Sequence, residues 1–448
     1  MRTLLTTITA TLILAAGLAG AQDLGIKAAK QSETICLYNA AIHPIVGPEI
    51  ASGFLVFSDG VITEMGTGMP SVPAPGAAPG YATIDCDGKH IYPGLIAPWT
   101  NLGLTEIQAV RQTQDLVETG GVTPEVCPAN AVNPDSTLLP ITRSNGVLVA
   151  GVYAGGGTFP GQVSVIRLDG WTTDELTINR AAGQVLRWPG MRTFSAWWMD
   201  TNEDEQRKES RKAVEAIEHV LDTAQAYRAS RGADSTAPTD IRWDALVMSL
   251  PNTDDAGSVA KPMFVQANDA DQINAAVAFG KQRGLRMVIV GGREADRCAE
   301  LLKEENIPVI IMGTHNMPSR DDAAYDEPFT LPARLHAAGV RFTIANADDT
   351  AHERNTPYTV ATAVKHGLDH AKGLESLTID AAKILGIDAA YGSLEKGKSA
   401  TIIVTTGDPM EVRTRITSAY IDGRLIDLSN KQTELAKKYR ERLKQIGK

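Results

Sequence analysis

Apolar and polar positions along the chain change their rhythm twice. From Thr34 to Ile91 short apolar runs follow one another as strands: TICLYNAAI, GFLVFSDGVITEMG and ATIDCDGKHIY. Ser58-Asp59-Gly60 between two such runs is a hairpin signal. Met69 to Gly80, MPSVPAPGAAPG, is too rich in Pro and Gly for a helix. In the middle, the runs GVLVAGVY, ALVMSL, PMFVQA, RMVIVGG, PVIIMG and RFTIAN alternate with helical patterns such as DADQINAAVAFGKQRG and READRCAELLKEEN. Short buried strands separated by amphipathic helices predict a parallel sheet covered by helices. Six or more such units suit a (β/α)8 TIM-like barrel better than an open sheet.

The flanks complete the layout. Glu203 to Ser230 is one long charged helix with Val214, Ile217, Leu221 and Ala224 on a single face. Near the C-terminus, YGSLEKGKSATIIVTTGDP and ITSAYIDGRLIDL return to short strands without helical partners. They are expected to complete the N-terminal β unit, so that an α/β barrel is inserted in a small β-sandwich. The expected division is a signal peptide at 1–21, a sandwich at 33–92 plus 387–428, a barrel at 93–386 and a basic helix at 429–448.

The N-terminus adds a compartment. Arg2, the apolar run Leu12 to Leu18 and Ala19-Gly20-Ala21 have the order of a secretory signal. That run is shorter than the roughly 20 residues of a membrane span, so export without a span after cleavage is expected, secreted or periplasmic. A formal net charge of −10 and 5% aromatic residues argue against nucleic acid and suit a small neutral or cationic ligand better than a polyanion. A homo-oligomer is open. The four cysteines have no C-x-x-C spacing, which excludes a zinc knuckle; Cys36 and Cys86 are either a bridge or two thiols.

Two motifs carry a resemblance. DCDGKHIYPGLI (Asp85 to Ile96) and LTIDAAKILGIDAAYGSLEKGKSATIIV (Leu377 to Val404) are similar to the sequences that lead into and close the barrel of the amidohydrolase superfamily, especially its secreted imidazolonepropionase-like members. Gly339 to Leu368 resembles that family's eighth strand and following helix. The resemblance implies a barrel within a β-sandwich and hydrolysis of non-peptide C–N bonds by one or two divalent metals, usually zinc. Such metals depress the pKa of bound water and supply hydroxide. The family's ligands are an H-x-H pair ending strand one, a carboxylated Lys or Glu on strand four, a His on each of strands five and six, and an Asp ending strand eight.

Carried over residue by residue, the pattern breaks. In PGLIAPWTN the two histidine positions hold Trp99 and Asn101. Indole is a donor only, and Asn is a weak oxygen ligand. Strand five, MFVQAND, offers Gln266 and Asn268; strand six ends in Gly291-Gly292. On strand eight Ala347 takes the Asp position, and one residue of slip restores Asp348. The standard metal site is therefore expected to be lost, leaving Trp99, Asn101, Gln266, Asn268 and His352 as a ligand pocket.

If the protein is active, the catalytic candidates are Asp348, Asp349 and His315, with a single zinc-like divalent metal or acid–base chemistry. His366 and His370 share an i,i+4 spacing that would face one way on a helix. Gly151 to Gln162 is Gly-rich but lacks both the phosphate-loop and the dinucleotide patterns, so a flexible loop at the barrel mouth is expected. Three functions stay open: a non-catalytic small-ligand-binding barrel, an active amidohydrolase with a rebuilt site, and an envelope interaction scaffold.

Overall fold

Two sheets organise the chain, in a computed structural model that describes residues 23, 25–69, 80–195, 202–251, 259–347 and 349–447. The signal segment, most of the Pro/Gly-rich loop and Asp348 lie outside the described residues. The first strands are β1 (Thr34–Ile42), β2 (Ile50–Ser58), β3 (Val61–Thr67), β4 (Tyr81–Asp85) and β5 (His90–Pro93). The barrel follows with β6 (Leu95–Thr100), β7 (Val147–Tyr153), β8 (Gly161–Arg167), β9 (Thr177–Arg187), β10 (Met263–Ala267), β11 (Met287–Gly291), β12 (Val309–Met312) and β13 (Phe342–Ala345). Strands β14 (Ile402–Thr405), β15 (Ile416–Ile421) and β16 (Arg424–Leu425) then return to the first sheet, whose order is β16-β15-β14-β5-β1-β2-β3 with β4 on β1.

The expected composite of barrel and β-sandwich is what the chain forms. Asp59 and Gly60 have positive φ in the β2–β3 hairpin, as the Ser-Asp-Gly signal requires. Cys36 and Cys86 are free thiols. They belong to different packing clusters, Cys36 with Phe54 and Val56, Cys86 with Leu37 and Phe57. Burial pushes both thiols up to about 11.

The barrel departs from the expected strand–helix repeat in one place. Strand β8 runs antiparallel to both β7 and β9, so the third strand is reached by a hairpin rather than by a crossover helix. The Gly-rich stretch that reads as a flexible mouth loop is the turn of that hairpin together with its flanks, and bridges at Val117–Gly155 and Val122–Phe159 tie it down. ALVMSL is not a strand. Asp240 caps the helix Ile241–Val247 by accepting from the Arg242 N–H, and Ala245 and Leu246 are the buried face of that helix. A short apolar run fits either element, and here the cap decides.

No ladder joins β13 to β6 among the described residues; the seam is covered from the chain between 376 and 385. The Ile96 N–H donates to the Leu377 carbonyl at 2.8 Å, and the Thr343 hydroxyl to the Ser376 carbonyl at 2.6 Å. Helix Ile379–Leu385 then packs under the strands as the barrel's floor, with Ala381, Ala382, Ile384 and Leu385 in the interior cluster. The long helix Glu203–Ala233 buries Ile217, Leu221 and Ala224, and the terminal helix Lys431–Gln445 buries nothing. Among the described residues no helix is long and apolar enough to cross a membrane.

A buried ion network fixes the two sheets to each other. Arg143 and Asp169, each 1% exposed at the side chain, pair at 3.2 Å. Arg143 also donates to the carbonyls of Leu168 and Asp427, while Asp169 accepts from the Ala28 N–H. One guanidinium thus ties the N-terminal segment, the barrel and the end of the first sheet. Arg143→Ala leaves the buried Asp169 with only the more distant Arg424, at 3.7 Å, as a charge partner, and is expected to cost about 3 kcal/mol. Urea unfolding measures this; a loss below about 1 kcal/mol would be the behaviour of an exposed pair and would show the network to be dispensable.

Candidate functional site

The C-terminal ends of the barrel strands form the mouth, and Trp99 sets its shape. Strict alternation would put Ile96 and Trp99 on opposite faces of β6. The register against β7 slips by one residue between Ala97 and Thr100, where Pro98 has no N–H to give the ladder. That bulge turns Trp99 into the barrel alongside Ile96. The indole is 1% exposed, stacks on Tyr153 with ring centroids 4.0 Å apart, and leans on Phe264 at 5.7 Å. Two glycines make this possible. A Cβ on Gly151 would sit 2.5 Å from the bulged Pro98 carbonyl, and one on Gly183 would sit 2.6 Å from the Phe264 ring.

Around this aromatic plug the expected pocket residues are dispersed. Asn101 donates its amide to the Tyr153 carbonyl at 2.6 Å, which fixes the end of β6 to β7. Gln266 is half-buried near the end of β10. Asn268 is exposed, with its side-chain oxygen lying over Gly291. Asp349 caps the short 3-10 helix Thr350–Asn355 by accepting from the Ala351 N–H, and His352 is half-buried within that turn. His366 and His370 do not share a helix. His366 closes Thr356–Lys365 and packs on Phe329, while His370 opens His370–Ser376 and binds Asp408 at 2.6 Å. Among the described residues no group of three or more His, Cys, Asp or Glu is placed to hold a metal ion.

What the structure brings together instead is a cavity of about 540 Å³ beside β12 and β13, lined by Thr314, His315, Asn316, Asn346, Asn355 and Tyr358 among others. Of the expected catalytic residues His315 is here. Its Nε2 is 2.8 Å from the Thr362 hydroxyl, so the ring leans toward helix Thr356–Lys365. The Asn316 amide donates to the Met312 carbonyl at 2.7 Å, and the Tyr358 hydroxyl donates to Asn145 at 3.2 Å. Asn346, which the sequence did not single out, is 7% exposed, and among the described residues its Nδ2 has no hydrogen-bond partner. Imidazole, amides and hydroxyls line this cavity, and among the described residues neither a carboxylate nor a lysine or arginine side chain does.

A second residue missed in the sequence is Glu353, 1% exposed in the same 3-10 turn as His352. Its carboxyl hydrogen-bonds Thr100, at the end of β6, and the Thr356 hydroxyl at 2.8 Å. It therefore bridges the β6–β13 seam at the mouth. Burial pushes this carboxyl up to about 7, against the pull of the two hydroxyls.

This architecture, a barrel carried by a second sheet to which both ends of the chain contribute, is that of the metallo-dependent hydrolases, and the comparisons agree. Residues 259–430 match the profile described as the amidohydrolase family. An imidazolonepropionase from Flavobacterium psychrophilum is 35% identical over 149 residues, which span 29% of this chain and 36% of that relative. The chain thus aligns with little more than a third of that relative's length. The crystal structure of an amidohydrolase from Thermotoga maritima MSB8 superposes with a TM-score of 0.73 at 22% identity, over 88% of this chain and 99% of that one. A prolidase solved with N-methylphosphonate-L-proline superposes with a TM-score of 0.53 at 16% identity, over 88% and 99%. The amidohydrolase match thus falls on residues 259–430, and the superposed structures share the fold over most of the chain.

The Glu353 carboxyl makes stability depend on pH. Its folded pKa lies above the unfolded value, so the folded state holds its proton longer. The stabilisation is complete below about pH 4.5 and is lost as pH rises through about 7. From pH 5 to pH 8 the wild-type protein should lose up to about 3 kcal/mol that Glu353→Gln does not lose. Urea titrations of both proteins at the two pH values read this directly, and parallel pH profiles would refute a buried neutral carboxyl.

Proposed function

We propose that the protein is an exported amidohydrolase-superfamily member that binds a small uncharged polar molecule at its barrel mouth, without the metal-dependent hydrolysis of its relatives. The observation that carries the reading is Asn346. A buried amide donor left without a partner costs about 1–3 kcal/mol, and this one lines an uncharged polar cavity of ligand size. A carbonyl, ether or hydroxyl acceptor on a bound molecule would satisfy it. Among the described lining residues an anion finds no cation and an ammonium no carboxylate.

The donor set does not suit zinc. Trp99 offers an indole whose only polar atom is an N–H, and it is stacked away inside the barrel. The Asn101 amide is already committed to Tyr153, and strand six ends in glycines.

A second reading, hydrolysis of a non-peptide C–N bond by acid–base side chains, is favoured by the raised carboxyl of Glu353 near the mouth. Its carboxyl is engaged by two hydroxyls and sealed from solvent, which supports a bracing role over proton exchange with a substrate. Export rests on the order of charge, apolar run and small residues over 1–21; sequencing the N-terminus of the protein recovered outside the cytoplasm tests it.

Elemental analysis and a thermal-shift screen of uncharged amides and alcohols test the binding reading together. Metal well below about 0.1 per chain is expected, with hits that raise the Tm of wild type and not of Asn346→Leu. That variant should fold at least as well as wild type, because it removes an unsatisfied buried donor. Tightly held metal near one per chain, or hits indifferent to Asn346→Leu, would overturn the proposal.

A further inference from the structure

The end of the barrel opposite the mouth carries a charge of its own. A cleft of about 400 Å³ lies where β11, β12 and β13 begin, against the floor helix Ile379–Leu385. Four cations line it from four separate segments: Lys281 in helix Ala270–Arg283, Arg286 ahead of β11, Arg341 ahead of β13 and Lys383 in the floor helix. Among the described residues Glu305 is the one carboxylate in the lining, and Lys281 holds it in an ion pair. Arg341 gives one N–H to the Asn306 carbonyl at 3.1 Å. Among the described residues Arg286 and Lys383 make no side-chain hydrogen bond or close ion pair, although Lys383 acts on Glu395 at longer range.

Part of this charge has a structural reason. Lys281 and Lys383 stand in the last turns of their helices, where cations offset the negative helix end. Arg286 and Arg341 lie outside helices, and that reason does not reach them. Behind the exposed cations the cleft is backed by the buried Met287, Val288 and Ile384, a wall of low polarity that strengthens the field in front of it. The whole-chain charge of −10 averages over this local excess of the opposite sign.

We propose that the cleft is a binding site for a small oxyanion of the phosphate class, held by the free guanidinium of Arg286, the remaining N–H groups of Arg341 and the ammonium of Lys383. Two arginine forks and a lysine match the tetrahedral oxygens of a phosphate, the arginines in pairs and the lysine as a point charge. The volume admits a pyrophosphate or a small phosphate ester. Binding here is independent of the mouth cavity, which lies at the other end of the strands.

Isothermal titration of the full chain with inorganic pyrophosphate in low-salt buffer tests this. Binding with a Kd on the order of 100 µM or tighter is expected, weakening about tenfold or more in Arg286→Gln/Lys383→Gln. It should also weaken with added salt. Both substituted residues are exposed, so the unliganded double variant should keep the wild-type Tm. Asn346→Leu should bind pyrophosphate as wild type does, which separates this site from the mouth. Adenosine monophosphate binding more tightly than phosphate would assign the site to nucleotides, and equal binding to the inorganic ion. No heat at millimolar pyrophosphate, or unchanged affinity in the double variant, would overturn the proposal.

Discussion

A barrel can place chemistry on its axis only if the axis is open at the strand ends, and here the indole of Trp99 closes it. The one-residue bulge in β6, the missing side chain of Gly151 across from it and the stack on Tyr153 form a single packing unit. Removing any one of them undoes the others. Without the bulge Trp99 would point outward; with a side chain at 151, the bulge would have no room. The ring is 1% exposed, with Tyr153 stacked on one side and Phe264 leaning on it. The cavity that the described residues form lies between the ends of β12 and β13 and helix Thr356–Lys365.

The seam of the barrel is held by other groups. The eighth and first strands are not laddered to each other among the described residues, so something else must hold them together. At the floor end the Leu377 and Ser376 carbonyls do so; at the mouth Glu353 reaches from the turn after β13 to Thr100. A carboxyl in that place is stable only when protonated or fully hydrogen-bonded, which explains both its two hydroxyl partners and its raised pKa. Bracing a seam and exchanging protons with a substrate are competing demands on one buried group.

Much of this was legible in the sequence, and the failures have definite causes. Asp85 to Ile96 and Leu377 to Val404 marked where the barrel begins and closes, because turn glycines and unbroken apolar runs survive any change of chemistry. The numbering of β10, β11 and β13 as strands five, six and eight followed from the family resemblance and holds in the sheet order. The antiparallel β8 was not legible, since GQVSVIR reads alike in either direction. ALVMSL failed because a short apolar run is ambiguous until its cap is considered. Asn346 and Glu353 escaped because neither belongs to a motif. Their importance comes from burial and from who stands opposite, and neither is a local property of the chain. A polar residue ending the run RFTIAN at the mouth was the one available hint.

The two ends of the barrel divide their electrostatics in a way that neither composition nor motif predicts. The described lining of the mouth cavity is amides, hydroxyls and an imidazole, so hydrogen-bond geometry does the choosing there, and an unmet donor such as Asn346 gives the sharper discrimination because a ligand lacking the acceptor leaves the cost in place. The floor cleft has the reverse character: exposed cations select by charge, act over a longer range and lose their grip as salt rises. A short-range selector and a long-range one sit about a strand's length apart, on a scaffold whose interior is filled by Trp99 at one end and by helix Ile379–Leu385 at the other. Because the filled interior gives no path between them, any coupling of the two sites has to run through the strands themselves, and β13 is the strand that Arg341 precedes and Asn346 follows.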